Sequence, residues 1–136
     1  NNRSALQGAA DAATGLGLRA YLDDRSIAGD AAQAGTAFAA ALLACGELAR
    51  PAVLIRGGET TVRLGASHGR GGRNQELALA AARRLAGHSG VALLAAGTDG
   101  RDGPTDAAGA IVDGDTWGQI AAAGRDAAAD LTCHDA

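Results

Sequence analysis

Leu6, Ala9, Ala10 and Ala13 recur at i, i+3, i+4 and i+7, the repeat of one helix face. Asn1 or Asn2 can cap that helix, and Gly15 and Gly17 can end it. Leu18, Ala20 and Leu22 then alternate with Arg19 and Tyr21, which predicts a short strand with one buried face. From Asp30 to Cys45 the stripe Ala31, Ala34, Phe38, Ala41, Leu42 and Cys45 is again helical, with Gly46 as its stop. Pro51 precedes an apolar strand at Ala52 to Arg56, and Gly57-Gly58-Glu59 reads as a tight turn into a second strand, Thr60 to Leu64. That spacing predicts an antiparallel hairpin.

Leu77, Ala78, Ala81, Ala82 and Leu85 line one face of a further helix, closed by Gly87. Val91 to Ala96 is uninterrupted apolar sequence, the pattern of a central strand buried on both faces. Gly109 to Val112 predicts another short strand, and Asp115 is placed to cap a last helix carrying Trp117, Ile120 and Ala121. The order α-β-α-β-β-α-β-β-α predicts an α/β fold, a three-layer α/β/α sandwich with a mixed sheet. With no linker or internal repeat, residues 1–136 read as a single domain.

Composition sharpens this picture in a few places. The 47% hydrophobic content is mostly alanine and leucine, and the aromatics are only Tyr21, Phe38 and Trp117, so the core must be packed from small side chains at close range. All 12 basic residues are arginines, which excludes a catalytic or Schiff-base lysine from this chain. A net charge of −3 argues against bulk attraction to nucleic acid or an acidic membrane. No stretch reads as a signal peptide or membrane span, and Cys45 and Cys133 are far apart with no CxxC pairing, so a reducing cytoplasm is the expected compartment. The chain begins at Asn1 and not at methionine, which suggests a piece of a longer protein.

Six of the 21 glycines fall in two short stretches that also carry arginine, carboxylate and amide groups. Gly69-Arg70-Gly71-Gly72-Arg73-Asn74-Gln75-Glu76 is a loop running into a helix N-terminus, where unpaired N–H groups and the helix dipole favour an anion. Arg70 and Arg73 add guanidinium forks that match phosphate or carboxylate. The Walker and dinucleotide patterns both fail here, the first for want of lysine and the second because Asn74 stands where a third glycine belongs. An anion site and a tight turn with exposed arginines both satisfy these residues. The second stretch, Gly97-Thr98-Asp99-Gly100-Arg101-Asp102-Gly103-Pro104-Thr105-Asp106, follows the apolar strand, at the end where α/β sheets collect ligands. Asp99, Asp102 and Asp106 can serve Mg²⁺, and Thr98 and Thr105 offer hydroxyls; equally, the carboxylates can cap backbone N–H groups of a turn.

GGETTV at Gly57 to Val62, GRGGRNQELALA at Gly69 to Ala80, and GTDGRDGPTDAAGA at Gly97 to Ala110 together resemble the MOFRL domain. That is the C-terminal domain of class II glycerate kinases, a family whose members also carry hydroxypyruvate reductase names. The resemblance spans nearly the whole chain. It implies ATP-dependent phosphorylation of D-glycerate to 2-phosphoglycerate, at a cleft shared with an N-terminal Rossmann-like domain that brings a catalytic lysine. Neither that domain nor the family's Thr-Gly-Pro-rich segment lies within this sequence, so turnover by this piece alone is not expected. By the resemblance, Arg73 matches the motif arginine facing the cleft, and Asp99 and Asp102 match its acidic loop. The candidate site is therefore Arg73 and Asp99 as catalytic groups, with Asp99 and Asp102 toward magnesium. Arg70, Gly71, Gly72, Asn74, Glu76, Thr98, Asp102 and Thr105 are placed around substrate and phosphate. The implied cofactors are ATP and Mg²⁺, and the implied partners are glycerate and the Rossmann-like domain. Hydroxypyruvate reduction is the second reading, with no residue support, and a non-catalytic ligand-binding module the third. Glu59 is read as either orienting a site arginine or merely exposed, His68 as either touching substrate beside the arginine loop or a surface loop residue, and His88 and His134 as loop and terminal residues.

Overall fold

The computed structural model describes residues 2–46, 50–66 and 68–136, and the proposed Asn1 cap lies outside them. The elements are α1 (Asn2–Gly15), β1 (Arg19–Asp30), α2 (Ala31–Ala44), β2 (Ala52–Thr61), α3 (Arg73–Leu85), β3 (Ala92–Ala96), β4 (Gly109–Asp113), α4 (Thr116–Ala122) and α5 (Ala127–Cys133). The α/β class holds, and strand pairing is mixed: β1 runs parallel to β2, and β3 runs antiparallel to β4. The mixture is divided between two separate two-stranded ribbons.

α3 is the organising element. Ala78, Ala81, Ala82 and Leu85 are completely buried, between α2 on one side and the β3–β4 ribbon on the other. The α2–α3 contact is as close as the small-residue composition demands: a Cβ added at Gly35 of α2 would collide with the Leu77 backbone of α3. α2 itself starts where the pattern placed it, its Asp30 side chain accepting from Gln33 N. α1 packs on β1 and β2.

The hairpin expected around Gly57 does not form. Ala52–Thr61 is one continuous strand, and its partner is β1 in parallel, with Arg19 opposite Ala52 and Asp30 opposite Thr61. Gly58 serves close approach instead of a turn, because a Cβ there would run into the Ile27 backbone where the β1 register shifts. β1 is correspondingly longer than its alternation suggested, and it carries Asp23 through the strand in an ion cluster. Arg25 Nε donates to Asp23 Oδ1 at 2.9 Å, and Arg56 of β2 donates to Asp23 Oδ2. The Arg56 guanidinium in turn lies 5.0 Å from the centre of the Phe38 ring. The hydrogen bonds from Arg25 and then the Arg56 contact hold the Asp23 carboxyl well below the usual carboxylate range.

β3 is likewise not buried on both faces. Leu93 and Ala95 turn toward α3, whereas Leu94 is 65% exposed opposite its β4 partner Ile111, itself 72% exposed. With apolar residues at every position, the period-2 alternation was invisible in the sequence. The final helix is two helices. At α4 the carboxylate that caps is Asp113, not Asp115: its Oδ1 accepts from Asp115 N, Thr116 N and the Thr116 hydroxyl, which holds its carboxyl below the ordinary value.

Candidate functional site

The two glycine loops meet at the start of α3. Gly72 is the N-cap and has no side chain to offer the open N–H groups of the first turn. Asp102, from the second loop, supplies the missing acceptor. Its Oδ1 accepts from Asn74 N at 2.9 Å and Asn74 Nδ2 at 3.0 Å; its Oδ2 accepts from Gln75 N at 2.7 Å and Gln75 Nε2 at 3.1 Å. Four donors converge on one carboxylate that is 1% exposed. Gly72 must be glycine for this to happen, since a Cβ would overlap the Asp102 carboxyl group. The anion predicted at this helix N-terminus is therefore part of the protein.

Several sequence expectations change with it. Asp102, read as a magnesium and substrate group, is instead placed with both oxygens accepting from α3 donors and shielded from solvent. Asn74 is committed to the same latch through both its backbone and its side chain. Thr105 belongs to it too, donating to Asp102 O at 2.7 Å and accepting from Gln75 Nε2 at 3.0 Å. Arg70 braces the loops, its Nη2 donating to Pro104 O at 3.0 Å and its backbone N to Asp135 Oδ1 at 2.8 Å. Glu76 is 3% exposed and accepts from His134 Nδ1 at 2.8 Å, so it faces an imidazole and not a phosphate.

What remains open is Arg73 and its surroundings. Arg73 begins α3 with a side chain 45% exposed, and its Nη1 lies 3.7 Å from Oε1 of Glu59 on β2. Glu59 is both exposed and within ion-pair distance of the arginine, with no hydrogen bond between them. A cleft of about 340 Å³ opens here, walled by Glu59, Thr60, Gly71, Gly72, Arg73, Glu76 and His134. Arg73 also reaches a larger groove of about 880 Å³ between β2 and β3, which Thr98 and Asn74 border. Arg73 stands at the junction of the two.

Asp99 is exposed in the second loop, its Oδ1 accepting from Arg101 N at 3.3 Å, and neither a hydrogen bond nor an ion pair joins it to Arg73 among the described residues. No group of three His, Cys, Asp or Glu side chains among the described residues is arranged to hold a metal. His134, read as a terminal residue, lies in the wall of the Arg73 cleft. Nothing near it in the chain marks it, because its partner lies 58 residues away on α3. His68, by contrast, is an exposed loop residue within 3.0 Å of the neighbouring Gly69 carbonyl.

Known proteins are similar to this chain in sequence and fold. The MOFRL family model matches residues 52–136. The D-glycerate 2-kinase of Thermotoga maritima is 61% identical over 79 residues, 58% of this chain and 19% of that protein. An Agrobacterium vitis protein with a provisional hydroxypyruvate reductase name is 43% identical over 136 residues, 96% of this chain and 31% of its own. The crystal structure of Thermotoga maritima glycerate kinase superposes with a TM-score of 0.91 at 43% identity, over 98% of this chain and 33% of that one. The chain spans about a third or less of the length of these relatives. Among the described residues no helix is long and apolar enough to cross a membrane.

Proposed function

The chain belongs to the MOFRL family, and from that premise we propose that it is the MOFRL domain of a glycerate 2-kinase. In this reading it contributes one wall of an interdomain cleft where ATP phosphorylates D-glycerate to 2-phosphoglycerate, opposite a Rossmann-like domain of the same polypeptide. The observation that carries the reading is Arg73. It is the arginine of the two loops whose guanidinium is exposed on a cavity rim, while Arg70 is turned to a backbone carbonyl. A planar guanidinium fork at a helix N-terminus can grip a carboxylate or the equatorial oxygens of a phosphoryl group in flight. Phosphoryl transfer asks for that kind of positioning and charge stabilisation more than for covalent chemistry.

The Asp102 latch supports the same reading from behind. It fixes the first turn of α3, and so the point from which Arg73 projects, without spending the arginine on the helix end. Of the acidic loop, Asp99 and Asp106 are exposed enough to meet a cation that ATP brings, and no step is assigned to either. A site divided between two domains also means that residues 1–136 alone should not turn over glycerate.

The test is a coupled ATP-consumption assay on the full-length parent, with D-glycerate and with hydroxypyruvate as alternative substrates. Arg73→Lys should lower kcat on the order of 10³-fold if the fork acts in the transition state, since an ammonium cannot make the bidentate contact. A raised KM with kcat kept would restrict Arg73 to holding the glycerate carboxylate. Wild-type constants in the folded variant would remove Arg73 from the site.

A further inference from the structure

At the end of α5 the chain turns through His134 in the left-handed region, φ 53° and ψ 47°, the one non-glycine residue with positive φ among those described. The turn ends the helix in an ordinary way, with Asp135 N donating to Asp130 O at 2.9 Å. Its effect on the site is specific. It sends Asp135 back to the Arg70 amide and places the His134 imidazole in the wall of the Arg73 cleft.

There the ring is held from one side only. Its Nδ1 donates to Glu76 Oε2 at 2.8 Å, and Glu76 has no other side-chain partner among the described residues. A carboxylate that accepts from Nδ1–H fixes the tautomer, so the neutral ring carries its lone pair on Nε2. Nε2 has no partner among the described residues, and the His134 side chain retains 23% exposure, in a cavity it shares with Arg73. A buried carboxylate, an imidazole and an open position in sequence are the components of a general base with its orienting group.

We propose that His134 is the general base of the reaction and that Glu76 is its positioning residue; this rests on the kinase reading above. As the substrate hydroxyl oxygen bonds to the γ-phosphorus, the bond from that phosphorus to the bridging oxygen breaks and its electrons leave with ADP. The hydroxyl proton passes to Nε2, and the imidazolium so formed is stabilised by the Glu76 carboxylate until the proton is lost to water. The inference gives the phosphoryl acceptor a place: its hydroxyl lies toward His134, with Arg73 on the same cleft wall and the ATP phosphates beyond.

The left-handed backbone dictates the variants. Asparagine and glycine accept this conformation, and an asparagine amide can still donate to Glu76 while offering no base. In the full-length parent, His134→Asn should lower kcat for glycerate phosphorylation by about 10²- to 10⁴-fold, with KM for glycerate and the melting temperature little changed. His134→Gly should recover kcat when imidazole is added, in a saturable way. Glu76→Gln should lower kcat at constant KM. Wild-type parent that does not phosphorylate glycerate would sink the kinase reading itself. With an active parent, a His134→Asn variant that keeps kcat, or that changes only KM, overturns the base assignment alone. If the asparagine variant does not fold, the glycine variant decides: no recovery with imidazole overturns the proposal, and recovery supports it.

Discussion

Replacing Asp102 should cost stability well before it costs chemistry. The carboxylate accepts four N–H bonds at 2.7 to 3.1 Å, two from the backbone of the α3 first turn and two from side chains, at 1% exposure. Hydrogen bonds to a charged group contribute roughly 1.5–3 kcal/mol each, but four losses do not add, because Asn74 and Gln75 can turn their amides to water. The two backbone donors cannot. Breaking a buried charged network by removing one partner typically costs about 3–5 kcal/mol, and we expect Asp102→Ala to fall in that range. For a domain of this size, about 4 °C per kcal/mol gives a melting-temperature drop of roughly 12–20 °C. Asp102→Asn keeps the shape but sets an amide against two of the donors, so it should recover only part of the loss. Thermal unfolding by circular dichroism reads the shift, and amide hydrogen exchange at Asn74 and Gln75 locates it. A shift below about 3 °C together with a large loss of activity would refute the latch and return Asp102 to the ligand-binding residues.

Two other expectations test the scaffold. Gly35→Ala should force α2 away from α3, since the new methyl meets the Leu77 backbone; a cost of about 1–3 kcal/mol or more is expected, and an unchanged denaturant midpoint would contradict the close contact. The lowered Asp23 carboxyl makes a pH prediction: a depressed folded value gives a contribution complete above the ordinary 3.8 and lost as pH falls further. Stability should therefore decline through this group only below about pH 4, and Asp23→Asn should flatten that acid limb; an unaltered limb in the variant would reject the assignment.

The parts of the fold legible in the sequence were those whose periodicity is local. The faces of α1, α2 and α3 were set by residues three and four apart, and the start of α2 at Asp30 by its immediate neighbours. The β pairing was not legible in this way. Gly57-Gly58 has turn chemistry, and only the approach of β1, about thirty residues earlier in the chain, makes it strand. The apolar run at β3 concealed which face was covered, because leucine and alanine stand on both. At the site, the motifs picked out two loops that meet in the fold, yet gave no sign of which carboxylates are buried. Asp102 reads as a ligand group in a glycine-rich loop, and its burial depends on Gly72 and the α3 amides 27 and 28 residues away. Glu76 reads as part of a phosphate motif, and its histidine comes from the far end of the chain.

Because the anion at the start of α3 is tethered, its effective concentration does not depend on the solution. A free phosphate or carboxylate seated on those amides would exchange, and the first turn of α3 would tighten or relax with supply. With Asp102 covalently part of the chain, closing the first turn of α3, and with it the point from which Arg73 projects, needs no free anion. The same tether makes the loop from Gly97 to Ala108 a ruler: lengthening or shortening it between β3 and Asp102 would move the helix end, and the arginine with it, without touching a residue of the cleft.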